Sequence, residues 1–370
     1  MESTFLKQQI ALSILKTSSN KRLRSLLDNA ENLDEFFCER NSAVLPNDIK
    51  YAFASKKKRG EALLLAQDYL KYFADDSLDI LFFKEKKYPQ RLLECQDAPI
   101  ILYKKGNFDL NASKVVSIVG TRNITSYGRA LCENIIASFK GKNILVVSGL
   151  AYGVDVYIHE LCLKNDIPTV GVLGHGVELM YPAAHRGIAK EMLENGGLIS
   201  EFLPDTRADK IHFPMRNRII AGLADATIVV ESGARGGSLI TAEMANGYNR
   251  DVFAFPGSVF EDFSKGCNQL IKQNKAMLIN SGDEFLEFMN WNHEVKSKKI
   301  VEQPSLFDLA VNLNAQEKEI YTHIKKLKEV RKDDLMFHFK HLSNDLFGIL
   351  LQLEMCGLVS ALPSGVYKAL

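Results

Sequence analysis

Six short β-rich runs punctuate the middle of the chain: VVSIVG from Val115, ILVVSG from Ile144, TVGVLG from Thr169, GLISEF from Gly197, ATIVVE from Ala226 and VFAFPG from Val252. Helical stretches separate them. Neighbouring parallel strands need a crossover connection, usually a helix, and that crossover is right-handed. Repeated units of this kind predict a Rossmann-like, doubly wound, mostly parallel sheet with helices on both faces. A further apolar run, Ile100 to Tyr103, predicts an extra strand leading into it.

The flanks have different patterns. Residues 1–75 read as a small helical domain, with Ile10, Leu12, Ile14 and Leu15, then Leu23, Leu26 and Leu27, as its apolar positions. Residues 76–290 hold the extended Rossmann-like domain, and residues 291–310, rich in lysine and carrying Pro304, read as a linker. Residues 311–370 predict a winged helix. Asn314 and Glu317 form a capping box opening a helix with Ile320, Ile324 and Leu327 on one face. A second helix turns Leu346, Ile349, Leu350 and Leu353 inward, and LVSALPSGVYKAL closes the domain as a hairpin.

Lys+Arg 46 against Asp+Glu 45 leaves a net charge of +1, so any polyanion must be held by a local patch. Six cysteines stand apart from one another and from histidines, which predicts reduced thiols and neither a metal site nor a disulfide frame. No signal peptide or membrane span is legible, so a cytoplasmic protein is expected.

The strand ends carry the candidate chemistry. In a parallel sheet the turns after the strands gather at one edge, where bare backbone N–H groups and arginines can converge on phosphate. Gly120, Thr121 and Arg122 form the first turn, and the Arg122 guanidinium can clamp a phosphate or pair with a surface carboxylate. Ser148 and Gly149 open the second, SGLAYGVD. The stretch Arg207 to Arg218 sets Phe213 among Arg207, Lys210, Arg216 and Arg218, with Asn217 between the last two. Cations hold a backbone while a ring stacks a base. The alternative is a ring packed under the sheet with solvated charges. Gly236, Gly237 and Ser238 precede a helix and can present N–H groups to an anion. Glu243, inside that helix, is read as the structural partner of Arg216 or Arg218. No GxGxxG or GxxxxGK[ST] fingerprint lies at these strand ends, which argues against nicotinamide chemistry and ATP hydrolysis. No cofactor is expected.

Together, YPQRLLECQDAPIILYKKGN, SIVGTRNITSYG, VVSGLAYGVD, YPAAH, SEF, HFPMRNRIIAGLA, ESGARGGSLITAEMA and FAFPGS resemble, in order, segments of the DNA-processing protein A (DprA/Smf) family. The resemblance implies a non-enzymatic, cytoplasmic homodimer that binds and shields single-stranded DNA and helps load the recombinase RecA, as in natural transformation. Family DNA-binding positions correspond to Arg122, Lys210 and Phe213. Leu270 and Ile271, in GCNQLI, are the candidate dimer surface. The chain departs from the family at His185, at Asn274-Lys275 and in lacking an N-terminal helix-hairpin-helix turn.

GGSLITAE is similar to the loop of LOG-type nucleoside-monophosphate phosphoribohydrolases, in which Arg216 would hold phosphate and Glu243 would assist cleavage. Gln303, Leu306 and Phe307 resemble a peptide that docks on the replication sliding clamp, a pattern that also arises by chance. Between Leu342 and Tyr367 there is no Lys or Arg, while Asp345 and Glu354 are present, so the winged helix is expected to bind protein instead of a DNA groove.

Overall fold

A computed structural model describes residues 2–15, 20–28, 33–37, 56–74, 77–292, 313–327, 329–342, 345–356, 358–362 and 365–369. The chain forms two compact units, Met1–Glu294 and Val295–Leu370.

In the first unit nine strands form one sheet: β1 (Asp79–Phe82), β2 (Ile101–Asn107), β3 (Val115–Val119), β4 (Leu145–Ser148), β5 (Thr169–Val172), β6 (Gly196–Ser200), β7 (Ala226–Val229), β8 (Asp251–Ala254) and β9 (Met277–Leu278). Their order is β1-β2-β6-β5-β4-β3-β7-β8-β9. Every pair from β6 to β9 is parallel, whereas β2 runs antiparallel to β6 and to β1. The chain winds outward from β3 through β4, β5 and β6, then returns to β7 on the other side of β3 and winds out again. That reversal makes the β3/β7 boundary a topological switch point, the place where an open α/β sheet leaves a crevice beyond its strand ends.

The strands are apolar because both faces are covered. On β3, Val115 and Val119 enter one apolar cluster while Val116 and Ile118 enter another, and Leu145 and Val147 alternate with Val146 on β4. The second cluster holds Leu131, Ile135, Ile158 and Phe285, from helices Ser126–Phe139, Val154–Lys164 and Gly282–Phe288. The first holds Ile219, Ile220, Ala242 and Ala245, from helices His212–Leu223 and Gly237–Gly247. The doubly wound architecture expected from the sequence is thus present, with β1 and β9 added at its edges.

The N-terminal helices share the first cluster through Ile10, Leu12, Leu15, Leu23 and Leu27. Phe5 meets Phe82 edge-on at 6.1 Å, the hydroxyls of Ser13 and Tyr103 lie 2.6 Å apart, and Arg24 donates to the carbonyls of Cys95 and Leu93 at 3.0 and 2.8 Å.

The second unit packs helices Ala315–Leu327, Lys332–His338 and Leu346–Met355 with a three-stranded antiparallel sheet. Its strands are β10 (Glu329–Arg331), β11 (Val359–Leu362) and β12 (Val366–Ala369), in the order β10-β12-β11. The capping box forms: Asn314 N–H donates to Glu317 at 2.8 Å and Glu317 N–H to the Asn314 side chain at 2.9 Å. Ile320, Ile324, Leu346, Ile349, Leu350 and Leu353 are buried as expected. Leu327 is not; it lies in the last turn of its helix and is exposed. Of the expected linker, Trp291 is buried against Phe285 in the first unit; its residues 293–310, with the Gln303, Leu306 and Phe307 peptide, lie outside the described residues.

Among the described residues no helix is long and apolar enough to cross a membrane, and no cluster of three or more His, Cys, Asp or Glu could hold a metal ion.

Candidate functional site

The turn after β3 is held by the end of β7. Glu231, buried, accepts from Thr125 N–H at 3.0 Å and from the Thr125 hydroxyl at 2.6 Å, and its carbonyl accepts from Thr121 N–H at 2.8 Å. Thr125 in turn caps helix Ser126–Phe139 by accepting from Gly128 N–H at 3.1 Å. These bonds close the switch point and leave Arg122 exposed on a fixed turn. The glycines here serve packing: a Cβ on Gly120 would overlap Val154, and one on Gly153, at φ +80°, would overlap the Thr121 carbonyl.

Arg216 organises the next turn. Its Nη1 donates to the Gly149 carbonyl at 2.9 Å and to the Val172 carbonyl, tying the ends of β4 and β5 together. Gly149 leaves room for it, since a Cβ there would meet Asp155 and both terminal guanidinium nitrogens of Arg216, the latter at 2.6 Å. Burial lowers the Arg216 pKa to about 10, against the opposing effect of Asp155. Burial raises that of Asp155, with Arg216 working against the rise. Arg216 Nε has no hydrogen-bond partner among the described residues, and the side chain lines a cavity of about 90 Å³ with Arg122, Gly149, Tyr152, His175, Tyr181 and Phe213. Ser148 lines neither cavity; its buried hydroxyl donates to the Ile118 carbonyl at 2.6 Å and lies beside Asp155.

Phe213, half-buried, lies at the centre of the site. Arg122 approaches its ring to 5.8 Å and the ring of Tyr181 lies 5.7 Å away, inclined by 38°. Past Tyr181 and Phe213 the surface opens into a cavity of about 750 Å³ lined with Lys105, Arg186, Lys190, Arg207 and Lys210. The carboxylates on its wall are Glu178, which pairs with Lys105 at 2.8 Å, and Asp209, whose side chain accepts from Ile211 N–H at 2.9 Å. The result is a groove in which cations flank exposed or half-exposed rings.

Several candidate residues lie elsewhere. Arg218, two positions from Arg216, points to a different side of the helix, donating to the Asp97 carbonyl at 2.5 Å and pairing with the carboxylate of Glu201. Asn217 lines neither cavity. Gly236, Gly237 and Ser238 also line neither; Ser238 is buried and its hydroxyl donates to Ser232 at 2.8 Å. They nonetheless follow β7, whose carboxyl end neighbours that of β3. Glu243 pairs neither with Arg216 nor with Arg218. It is exposed and bonded to Lys275 at 2.5 Å, so the arginine–glutamate pair of the phosphoribohydrolase reading is not assembled. Leu270 is buried in its own chain's core, not displayed as a dimer surface, and Ile271 is half-buried.

Tyr152, Tyr181, Arg186 and Lys190 join the site without having been singled out by sequence. Three of them follow β5, in the connection after the run TVGVLG. The usable signal was a tyrosine four residues before a histidine and an arginine one residue after it, as in MYPAAHRG.

Fold and site define an α/β protein with a cation-lined groove along the carboxyl edge of a Rossmann-like sheet. The profile of the family described as DNA recombination-mediator protein A matches residues 79–290. The chain belongs to that family. The DNA processing protein DprA of Streptococcus pneumoniae is 35% identical over 269 residues, spanning 72% of this chain and 93% of that protein. Its X-ray structure superposes with a TM-score of 0.64 at 32% identity, covering 75% of this chain and 95% of that one. A structure of DNA processing protein A from Helicobacter pylori, described in terms of its single-stranded DNA binding mode, superposes with a TM-score of 0.53 at 25% identity, covering 59% of this chain and 97% of that one.

Proposed function

We propose that this protein binds single-stranded DNA in the groove running from Arg122 past Phe213 and Tyr181 to Lys210, shields it, and helps load RecA onto it during recombination and natural transformation. The observation that carries the reading is the interleaving itself. Arg122 lies over Phe213, Tyr181 flanks the same ring, and Lys210, Arg207 and Arg186 continue the positive surface beyond it. A sugar-phosphate thread needs spaced cations, and an unpaired base needs an accessible ring, worth about 1–3 kcal/mol per stacked base. The Helicobacter pylori relative's description as a single-strand binder supports the same assignment.

The protein acts without catalysis, in the cytoplasm and as a homodimer. Among the described residues edge strand β9 pairs only with β8 and leaves Met277 and Leu278 about 40% exposed, which suits it to face a second copy. Gln303, Leu306 and Phe307 supply a clamp-docking peptide, to be tested by retention on purified clamp with and without Leu306→Ala plus Phe307→Ala.

Fluorescence titration with oligonucleotides of increasing length tests the main reading. Affinity rises with length to a threshold that gives the footprint. Tight binding of a mononucleotide with no dependence on length would contradict a groove for a strand.

A further inference from the structure

Phe260 is 89% exposed, more than any other large apolar side chain among the described residues, and Val259 beside it is 69% exposed. One ring in water needs no explanation; its place gives it a use. Both residues lie in the loop after β8, and hydrogen bonds join that loop to the segments that follow β3 and β7. The Tyr127 hydroxyl, from the first turn of helix Ser126–Phe139, donates to the Pro256 carbonyl at 2.7 Å. Ser232 N–H donates to the Phe263 carbonyl at 2.7 Å, and Gly266 N–H to the Ser232 carbonyl at 2.8 Å. The tip itself is pinned, since Phe260 N–H donates to the Ser258 hydroxyl at 3.3 Å and Glu261 N–H to the Ser258 carbonyl at 3.1 Å. An ordered backbone presents the ring, which lowers the cost of binding with it.

Strands β3, β7 and β8 are neighbours, so Arg122, Arg235 and Phe260, which follow them, succeed one another along the carboxyl edge of the sheet. Two strand spacings, about 10 Å, separate the first strand from the last. Phe213 and Lys210 line cavities with Val172 of β5 and Leu198 of β6, on the other side of Arg122. The Arg235 side chain is exposed and has neither ion pair nor hydrogen bond among the described residues. Alternating cations and rings therefore continue past Arg122 in the direction away from Lys210. The loop's own charges sort the parts of a ligand. Asp262 pairs with Lys265 at 2.6 Å, which leaves the exposed Glu261 carboxylate beside Phe260. A carboxylate repels phosphate and tolerates a neutral base, so the base belongs to Phe260 and the phosphate to Arg235.

We infer that the single-strand site has a second arm, in which a strand held on Arg122 extends over the ends of β7 and β8 with a phosphate on Arg235 and a base stacked on Phe260. The inference rests on the single-strand reading of the groove. It adds a contact beyond that groove, on a loop the sequence did not single out.

Anisotropy titrations of the full-length protein with two oligonucleotides test the inference: the shortest one whose binding Phe213→Ala weakens, and one twice as long. Phe260→Ala and Arg235→Ala should each weaken the longer by about fivefold or more and leave the shorter within about twofold. Both side chains are exposed, so neither change disturbs the core. Phe260→Trp gives a second readout, because the chain's one native tryptophan, Trp291, is buried. Its emission should be quenched by the longer oligonucleotide and unchanged by the shorter. Native affinity of Phe260→Ala for the longer strand, or an equal loss for both lengths, overturns the second arm; the first outcome would free the ring for a protein partner. If Phe213→Ala still weakens the shorter strand while Phe260→Ala changes nothing, the groove stands and the second arm alone falls. Failure of the native protein to bind either length would remove both.

Discussion

The guanidinium of Arg122 lies 5.8 Å from the centre of the Phe213 ring, although one residue comes from the turn after β3 and the other from the first turn of helix His212–Leu223. Each fixes the other's place. The cation is held over a π face, a contact worth about 0.5–2 kcal/mol, and the ring is kept at the mouth of a groove where a base could lie against it.

Replacing the ring separates stacking from charge. Phe213→Ala should weaken single-strand binding by about 1–3 kcal/mol and leave the salt dependence nearly unchanged, since no phosphate contact is lost. Anisotropy titrations at several salt concentrations check it. A large change in salt slope with little loss of affinity would show that the ring only positions a cation.

Gly149→Ala should destabilise the first unit by about 1–3 kcal/mol, because the new methyl group meets Asp155 and both terminal nitrogens of Arg216, and the buried arginine cannot yield freely. Arg216→Met should cost more, about 3–5 kcal/mol, by removing the cation that offsets the burial of Asp155 and leaving two strand-end carbonyls without their donor. Urea unfolding measures both. A Gly149→Ala midpoint equal to the native one would contradict the strand-end clamp.

His159, fully buried with Nδ1 2.7 Å from the Thr169 hydroxyl, has its pKa lowered to about 3, chiefly by burial. Below the ordinary value near 6.5 the unfolded chain takes up a proton that the folded chain refuses. Stability is therefore complete above about pH 6.5 and declines as pH falls toward 3, by about 2 kcal/mol at pH 5. Asp155, whose pKa is raised, acts in the opposite sense over its own range, but equally in native protein and in His159→Gln. The difference in slope between the two, read from melting temperature against pH, should isolate the histidine; identical slopes would contradict its burial as the neutral form.

A chain ending at Glu294 retains the whole groove, since Arg122, Tyr181, Lys210 and Phe213 all lie in the first compact unit. Its affinity for a short oligonucleotide should stay within about threefold of the full-length value, a difference of less than about 0.7 kcal/mol. Loss of most binding would move the DNA contact to the C-terminal unit and overturn the argument from its missing cations.

Much of the fold was legible because its strands are buried on both sides. Val115 to Val119 and Leu145 to Ser148 are apolar or hydroxyl-bearing throughout, and only a covered parallel sheet calls for that. Strand β9, two exposed residues at an edge, has no such pattern and was missed. Within the site, the turn carrying Arg122 could be read from its place after a strand. The separation of Arg216 from Arg218 could not be read from charge alone: two residues along a helix turn a side chain by about 200°, so one arginine ties strand ends while the other pairs with Glu201. Glu243 was misassigned for a related reason. Proximity along the chain to the glycine turn said nothing of Lys275, which reaches it from beyond β8. Tyr181 and Arg186 come from the long connection after β5, where no periodic pattern marks which side chains return to the strand ends.

The most direct test of the groove is the salt dependence of single-strand affinity in the native protein, Arg122→Ala and Lys210→Ala. Each lost phosphate contact should lower the magnitude of the slope of log K against log salt by about 0.7. Three superimposable slopes would contradict a phosphate thread lying along Arg122 and Lys210.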